Sequence, residues 1–336
     1  MLDLNSFYIT IIMLVAVASL IFHQGTNKTI LSKILAFLVF VISISIYVGL
    51  ADRDRFPDIG VYVELNSSEG LISKDREPLV SLFVDMMQPI IPTYNNLSPL
   101  FTFPAFLLLI TIFINPNIDL YRFSVFLAGP GFAPVFMQYR TFLGLSVFLF
   151  ISAIFTSKKF RYLKYISIFT HTSLVSSLFV NNFGSKKYRT KYAMLLTTLI
   201  YSISLITTSA NVFPILEGYT PLIKPTSIIF FFFCWVYILL LSRINNPSSM
   251  NEYYDKNTLT ITTSYTNASY VYFMILIAIA TPYVGLSTRF FAVHSSIILL
   301  LNPLSESNNK NLSQETLLFL MMMLPNILFF FFVGLQ

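Results

Sequence analysis

"PVFMQYRTFLGLSVFLF", residues 134–150, sets one arginine, Arg140, between two apolar runs that would otherwise read as a single greasy segment. A guanidinium in the middle of an isolated spanning helix costs about 2.5–3.5 kcal/mol on insertion scales. Arg140 therefore belongs at a helix end or against a wet cavity, and the stretch divides into the close of one helix, 121–137, and the start of another, 141–156.

The rest of the chain follows the same grammar. With 336 residues, 55% of them hydrophobic and 11% charged, it has too little polar surface to cover a water-soluble globule;. A helix needs about 20 apolar residues to cross the hydrocarbon, and apolar runs recur at 6–22, 32–50, 97–115, 121–137, 141–156, 192–212, 227–243, 267–285, 290–302 and 316–334. These predict an all-α polytopic membrane protein, one transmembrane domain over 1–336, with about ten crossings and an outer loop over 51–96. The 35 Phe and 19 Tyr suit lipid-facing and interfacial surfaces;. Cys234 is the single cysteine, so it forms no internal disulfide and reads as a packing residue;. The net charge of +6 does not imply nucleic acid, because the bases lie in short loops beside apolar runs, where they set topology;. The opening "MLDLNSFYIT" lacks a positive n-region, so residues 6–22 read as a retained helix despite the small-residue pattern Ala16-Val17-Ala18;.

Orientation follows from Lys and Arg. Lys28 and Lys33 make the first connection cytoplasmic, placing the amino terminus and the loop "ADRDRFPDIGVYVELNSSEGLISKDRE" outside;. Further on, "SKKFRYLKY" and "GSKKYRTKY" are both basic, yet only "ISIFTHTSLVSSLFV" separates them. A single crossing would leave one basic loop on the wrong side. A re-entrant hairpin over 162–183, with His171 and Thr172 near its apex, removes the conflict, provided the irregular backbone lies against protein or a water-filled cavity. The other reading is one ordinary helix with a weakened charge rule. With the hairpin, most bases, Lys164 and Arg122 among them, fall at the cytoplasmic face. Arg53, Arg55, Lys74, Arg76, Arg140, Lys224 and Arg289 fall outside and call for a reason other than insertion. "EPLVSLFVDMMQPI", with Leu79, Leu82, Phe83, Met86 and Met87 on one face, reads as an amphipathic interfacial helix along an outer cavity;.

No phosphate-binding glycine loop, paired Cys-x-x-Cys, His-Glu-x-x-His or nucleophile elbow is present, and neither a metal nor a cofactor is expected;. "DRD" at 52–54 has the form of an acidic base or metal motif and equally of a solvated charge pair ending helix 32–50. Arg140 and Arg289 each mark an outer junction between helices. With Arg53 and Arg55 they form a clamp suited to phosphate oxygens, which arginine binds bidentately without ever losing its proton. The competing reading is snorkelling towards lipid headgroups. His171, beside Thr170, Thr172 and Ser173 in an apolar segment, is suited to accept a proton from a hydroxyl or to donate a hydrogen bond to phosphate;. Its competing reading is a satisfied buried histidine. His23 and His294 lack the shared level that favours His171.

Four segments, in order, resemble the Wzy-type polysaccharide polymerases, in particular their EpsG-like branch. "RFPDIGVYVEL" matches an early outer-loop pattern through Arg55, Asp58 and Tyr62, and is followed by "REPLVSLFVDMM" with Glu77. "MQYRTFLGLSVFLF" is similar to that family's Asn-x-Ile-Arg-Gln-x-(Leu/Ile)-Ala helix start, aligning Arg140, with Thr141 in place of glutamine and Gly144 in place of alanine. "YISIFTHTSLVSSLFV" resembles its short His-x-Ser-Ala-like segment and aligns His171; "LSTRFFAVHSSIILLLNP" resembles its late arginine segment and aligns Arg289.

The resemblance implies a metal-independent glycosyltransferase of the bacterial inner membrane, its active site facing the periplasm. It would join undecaprenyl-pyrophosphate-linked oligosaccharide repeat units into O-antigen, capsule or exopolysaccharide. It further implies Arg140, Arg289, Arg55 and Arg53 on the pyrophosphate, His171 or Asp58 as base, and Tyr62 and Glu77 towards the sugars. Membrane lipid and a chain-length regulator protein are the implied partners. A flippase of lipid-linked oligosaccharide would also place arginines beside a cavity, but no internal duplication is visible. A lipid-phosphate-sugar-dependent glycosyltransferase or an O-ligase is the remaining alternative, the former if the acids at 52–54 are essential.

Overall fold

The computed structural model describes residues 2–21, 30–52, 80, 82–83, 86, 99–155, 163–171, 173–175, 190–209, 224–244, 267–301 and 317–328. Its elements are all helices: α1 (Leu4–Ile21), α2 (Ile30–Leu50), α3 (Pro99–Ile114), α4 (Leu120–Ala128), α5 (Phe132–Phe136), α6 (Tyr139–Ile154), a 3-10 helix (Leu163–Thr170), α7 (Thr190–Ser209), α8 (Lys224–Ile244), α9 (Asn267–Ala280) and α10 (Val284–Leu301). A last helical stretch, α11, covers Leu317–Leu328. The expected all-α class holds, with one isolated parallel bridge, Leu2 to Ala51, among the described residues. By length and composition one of these helices, Ile30–Leu50, is long and apolar enough to cross a membrane.

The chain divides into two compact units: Met1–Leu174 with Ser295–Leu301 and Met322–Gln336, and Val175–His294 with Asn302–Met321. In the first unit α1 and α2 run antiparallel, since Leu2 at the start of α1 donates its N–H to Leu50 O at the end of α2 (2.6 Å), and Asp52 donates to Leu2 O (2.7 Å). At the opposite end of α2, Lys33 Nζ reaches Phe113 O (2.7 Å) and Asn115 O (2.9 Å), capping α3. Ser32 Oγ accepts from Leu120 N at the start of α4 (2.8 Å). Asn115 and Asn117 donate to Leu300 O and Leu301 O, the end of α10 (3.1 and 3.0 Å). Helix ends leave carbonyls unpaired, and here one polar cluster satisfies two such ends at once.

The expected helix 121–137 is broken. Gly129-Pro130-Gly131 splits it into α4 and α5, because proline brings no N–H and its ring clashes with the preceding turn;. The freed carbonyls find side-chain donors: Tyr8 Oη donates to Ala128 O (2.8 Å), and Asn326 Nδ2 donates to Gly129 O. α5 packs with α1 in an aromatic cluster of Phe7, Tyr8, Tyr47, Phe132 and Phe136. The run expected at 290–302 also starts earlier, at Val284, so Arg289 lies within α10 and not at its junction.

In the second unit α7 packs on α9, with Ser204 Oγ donating to Ile279 O (2.9 Å), and Tyr201 stacks on Phe231 of α8 at 4.6 Å. Several helices in both units carry apolar side chains outward at helical spacing. Examples are Ile9, Met13 and Val17 on α1, Ile34, Leu38 and Ile42 on α2, Leu199, Ile203 and Ile206 on α7, and Ile229, Phe232 and Val236 on α8, all exposed. Of the expected interfacial helix, Leu79 and Met87 lie outside the described residues. Val80, Leu82, Phe83 and Met86 are helical, with Val80 buried, Phe83 against Phe103 (4.9 Å), and Leu82 and Met86 exposed.

Candidate functional site

α6 positions Arg140 as its second residue, immediately after the junction with α5, as the sequence predicts. Gln138 is the N-cap residue, and Phe142 N bonds its carbonyl at 2.9 Å to open the helix. Tyr139 anchors this start: its hydroxyl pairs with Tyr47 Oη at 2.7 Å inside the core, and its ring lies 5.2 Å from Phe101 of α3. Phe142 is turned to the same ring at 6.0 Å. The α3 side of α6 is thus aromatic, and Arg140, half-buried, lies on a different face.

That other face carries Gly144. A side chain there would collide with Leu174 Cδ1 and Thr170 Oγ1 and come within 3.2 Å of Ser167 O, so the glycine lets the 3-10 segment lie directly on α6;. Phe148, one further turn along, meets Tyr165 at 6.2 Å, and Lys164 Nζ lies over both rings at 5.4 and 5.3 Å. The 3-10 helix therefore runs antiparallel to α6, starting beside Phe148 and ending beside Gly144. Residues four and three before Gly144 share its side of the helix one turn back, about 6 Å along the axis. These are Arg140 and Thr141. The 3-10 helix thus ends, at Thr170, beside Gly144, one turn of α6 after Arg140.

His171 is buried, and so are Thr170, Ser173 and Leu174. Ser173 donates its backbone N–H to His171 Nδ1 (3.2 Å), and its Oγ lies 2.7 Å from the same nitrogen. A backbone N–H can only donate, so Nδ1 is an acceptor, Ser173 Oγ–H donates to it, and the neutral ring carries its proton on Nε2. Of the segment 162–183, expected to form a re-entrant hairpin, Leu163–Thr170 is a 3-10 helix, and His171 and Ser173 to Val175 are also described. Thr172 and residues 176–183 lie outside the described residues. Lys164, expected among the loop bases, is instead buried against aromatic rings;.

Arg289 is in the second unit, on α10, partly exposed one turn before Val293. In that unit His294 stacks face to face on Phe273 (3.7 Å, 11°) and meets Tyr237 edge-on (6.1 Å), the packing of a core histidine. Cys234 is buried and reduced, as expected of a packing residue. Arg53, Arg55, Asp58, Tyr62 and Glu77 lie outside the described residues. So does the middle of the motif at 52–54, of which Asp52 alone is described.

Three contributors were not singled out from sequence: Ser173 as the orienting partner of His171, Gly144 as the docking point of the 3-10 helix, and the buried polar atoms of Gln138 and Thr141. Gly144 carried a signal, since a glycine inside a helix costs about 1 kcal/mol relative to alanine and calls for a packing reason. Comparison with protein-family models, curated proteins and solved structures finds no match to this chain.

Proposed function

We propose that this chain is a polytopic inner-membrane glycosyltransferase that polymerises undecaprenyl-pyrophosphate-linked repeat units at the periplasmic face, in the manner of the Wzy-type, EpsG-like polymerases it resembles. The membrane part of the reading is supported by the outward apolar rows on α1, α2, α7 and α8, which hydrocarbon accommodates and water does not;. The single observation that carries the catalytic part is the docking of the 3-10 helix at Gly144. It sets Thr170 and Leu174, the segment that contains His171, against the helix that carries Arg140, and the reading brings those two residues to one substrate.

In this reading Arg140 holds pyrophosphate oxygens and stabilises the charge that develops as the carrier departs, the role that the resemblance also assigns to Arg289. Arg53 and Arg55 extend that clamp, and Tyr62 and Glu77 face the sugars. The orientation of His171 by Ser173 favours one of its two candidate roles. A ring that presents Nε2–H donates a hydrogen bond to a phosphate oxygen, which leaves the acceptor hydroxyl to be deprotonated by a carboxylate, Asp58. No metal or cofactor enters the scheme. Lipid-linked repeat units, membrane lipid and a chain-length regulator are its partners.

The test is the ladder of surface-polysaccharide lengths in a strain that relies on the variant chain. Arg140→Ala and Arg289→Ala are expected to collapse the ladder to single repeat units while the protein still accumulates in the membrane. His171→Gln is expected to shorten the ladder. Undiminished polymer from both arginine variants removes the proposal. Accumulation of repeat units on the cytoplasmic side points instead to a flippase.

A further inference from the structure

Two polar atoms at the start of α6 remain unassigned. Gln138 Oε1 and Thr141 Oγ1 are both buried and have no hydrogen-bond partner among the described residues, and Thr141 as a whole is 1% exposed. They are three residues apart, Gln138 at the N-cap position and Thr141 in the first turn of α6. Thr141 is also three residues before Gly144, on the side where Thr170 and Leu174 close over α6 and lead to His171. Ser124, Ser146, Ser152 and Ser296 have buried hydroxyls without partners too, but each is a single short group within a helix. Gln138 and Thr141 instead stand together at the start of α6, with Arg140 between them in sequence.

A buried oxygen left unpaired is unfavourable, and two at one helix start suit a polar group the chain itself does not supply. Its chemistry can be narrowed. With Oε1 turned inward, Gln138 accepts only, which disfavours a phosphate oxygen; with the amide reversed it donates only. Thr141 does both. A neutral hydroxyl, which donates and accepts, satisfies either arrangement, whereas an ammonium group would be repelled by Arg140. We infer that Gln138 and Thr141 form a subsite for a sugar hydroxyl of the lipid-linked repeat unit, holding it at the end of α6 that carries Arg140. This inference rests on the polymerase reading and adds to it residues that position substrate without touching the departing phosphate.

The experiment uses the full chain in lipid vesicles, with lipid-linked repeat units isolated from a polymerase-deficient strain as the probe, and measures elongation rate against repeat-unit concentration. Thr141→Val, which keeps the side-chain shape, is expected to raise KM roughly tenfold with little change in kcat. Thr141→Ser is expected to stay near the unaltered protein, and Gln138→Met to raise KM similarly. Melting temperature in detergent should not fall for Thr141→Val, because no partner is orphaned by removing the hydroxyl. Unchanged KM in both Thr141→Val and Gln138→Met, alongside an inactive Arg140→Ala, overturns the subsite and leaves the polymerase reading standing. Equal impairment of Thr141→Ser and Thr141→Val also overturns it. Full activity in Arg140→Ala brings down the polymerase reading itself.

Discussion

Gly144 decides more than its size suggests. In an exposed helix, glycine to alanine gains about 1 kcal/mol of helix propensity. Here the added methyl would meet Leu174 and Thr170, whose neighbours Ser167, His171 and Ser173 are all buried and have little room to yield. Overpacking of this kind costs about 1–3 kcal/mol, so the two effects oppose and packing wins. Gly144→Ala is expected to lower the melting temperature in detergent and, by lifting the 3-10 helix off α6, to shorten polymer more than an alanine on the lipid-facing side of the same helix. A raised melting temperature would mean that the 3-10 helix does not lie where Gly144 puts it. Arg140, Arg289 and His171 were legible from sequence as charged or titratable groups in apolar surroundings. Ser173 was not legible as the group that sets the histidine's tautomer, because that depends on a backbone turn of two residues.

Helices in this chain end where a donor is available to close them. Lys33 reaches across from α2 to the last carbonyls of α3, and the asparagines that follow α3 reach α10. Charge-assisted hydrogen bonds of this sort contribute about 1.5–3 kcal/mol. Lys33→Met, which keeps the aliphatic stem, is expected to lower stability by about that amount in a thermal melt, whereas Lys33→Arg should retain most of it. No loss in the methionine variant would show that water caps α3 equally well. The two-piece character of 121–137 has the same origin. The glycine–proline–glycine stretch is visible in the sequence as a breaker, yet an apolar run is long enough to hide it. The break becomes tolerable only because Tyr8 and Asn326, remote in sequence, supply donors for the exposed carbonyls.

For the molecule as a whole, the decisive property is that apolar side chains line the outside of many helices as well as the inside. In water such rows would drive aggregation; in a bilayer they are the solvated surface. α2 gives this a direction. Its first turn joins Lys33 to the cluster around Asn115, and its last residue bonds Leu2, so the two clusters lie at opposite ends of a 21-residue helix about 30 Å long;. In a Cys234→Ala background, a membrane-impermeant maleimide is expected to label Leu50→Cys in intact spheroplasts and Pro116→Cys only after permeabilisation. Labelling of both from the same side would remove the proposed crossing.

The amino-acid sequence by itself determined the helical class, the approximate place of each apolar segment, and the few charged or titratable residues that call for an explanation. Hydrophobic run length and the cost of burying charge are local quantities, and a chain read in order displays them. What only the tertiary structure decided is which of those residues meet. The docking of the 3-10 helix on Gly144 and the pairing of Tyr47 with Tyr139 depend on shape complementarity between segments far apart in sequence, and the orientation of His171 by Ser173 on a local turn that residue types alone do not specify. The same distance hides the unpaired oxygens of Gln138 and Thr141, since a polar atom lacks a partner only relative to everything packed around it;.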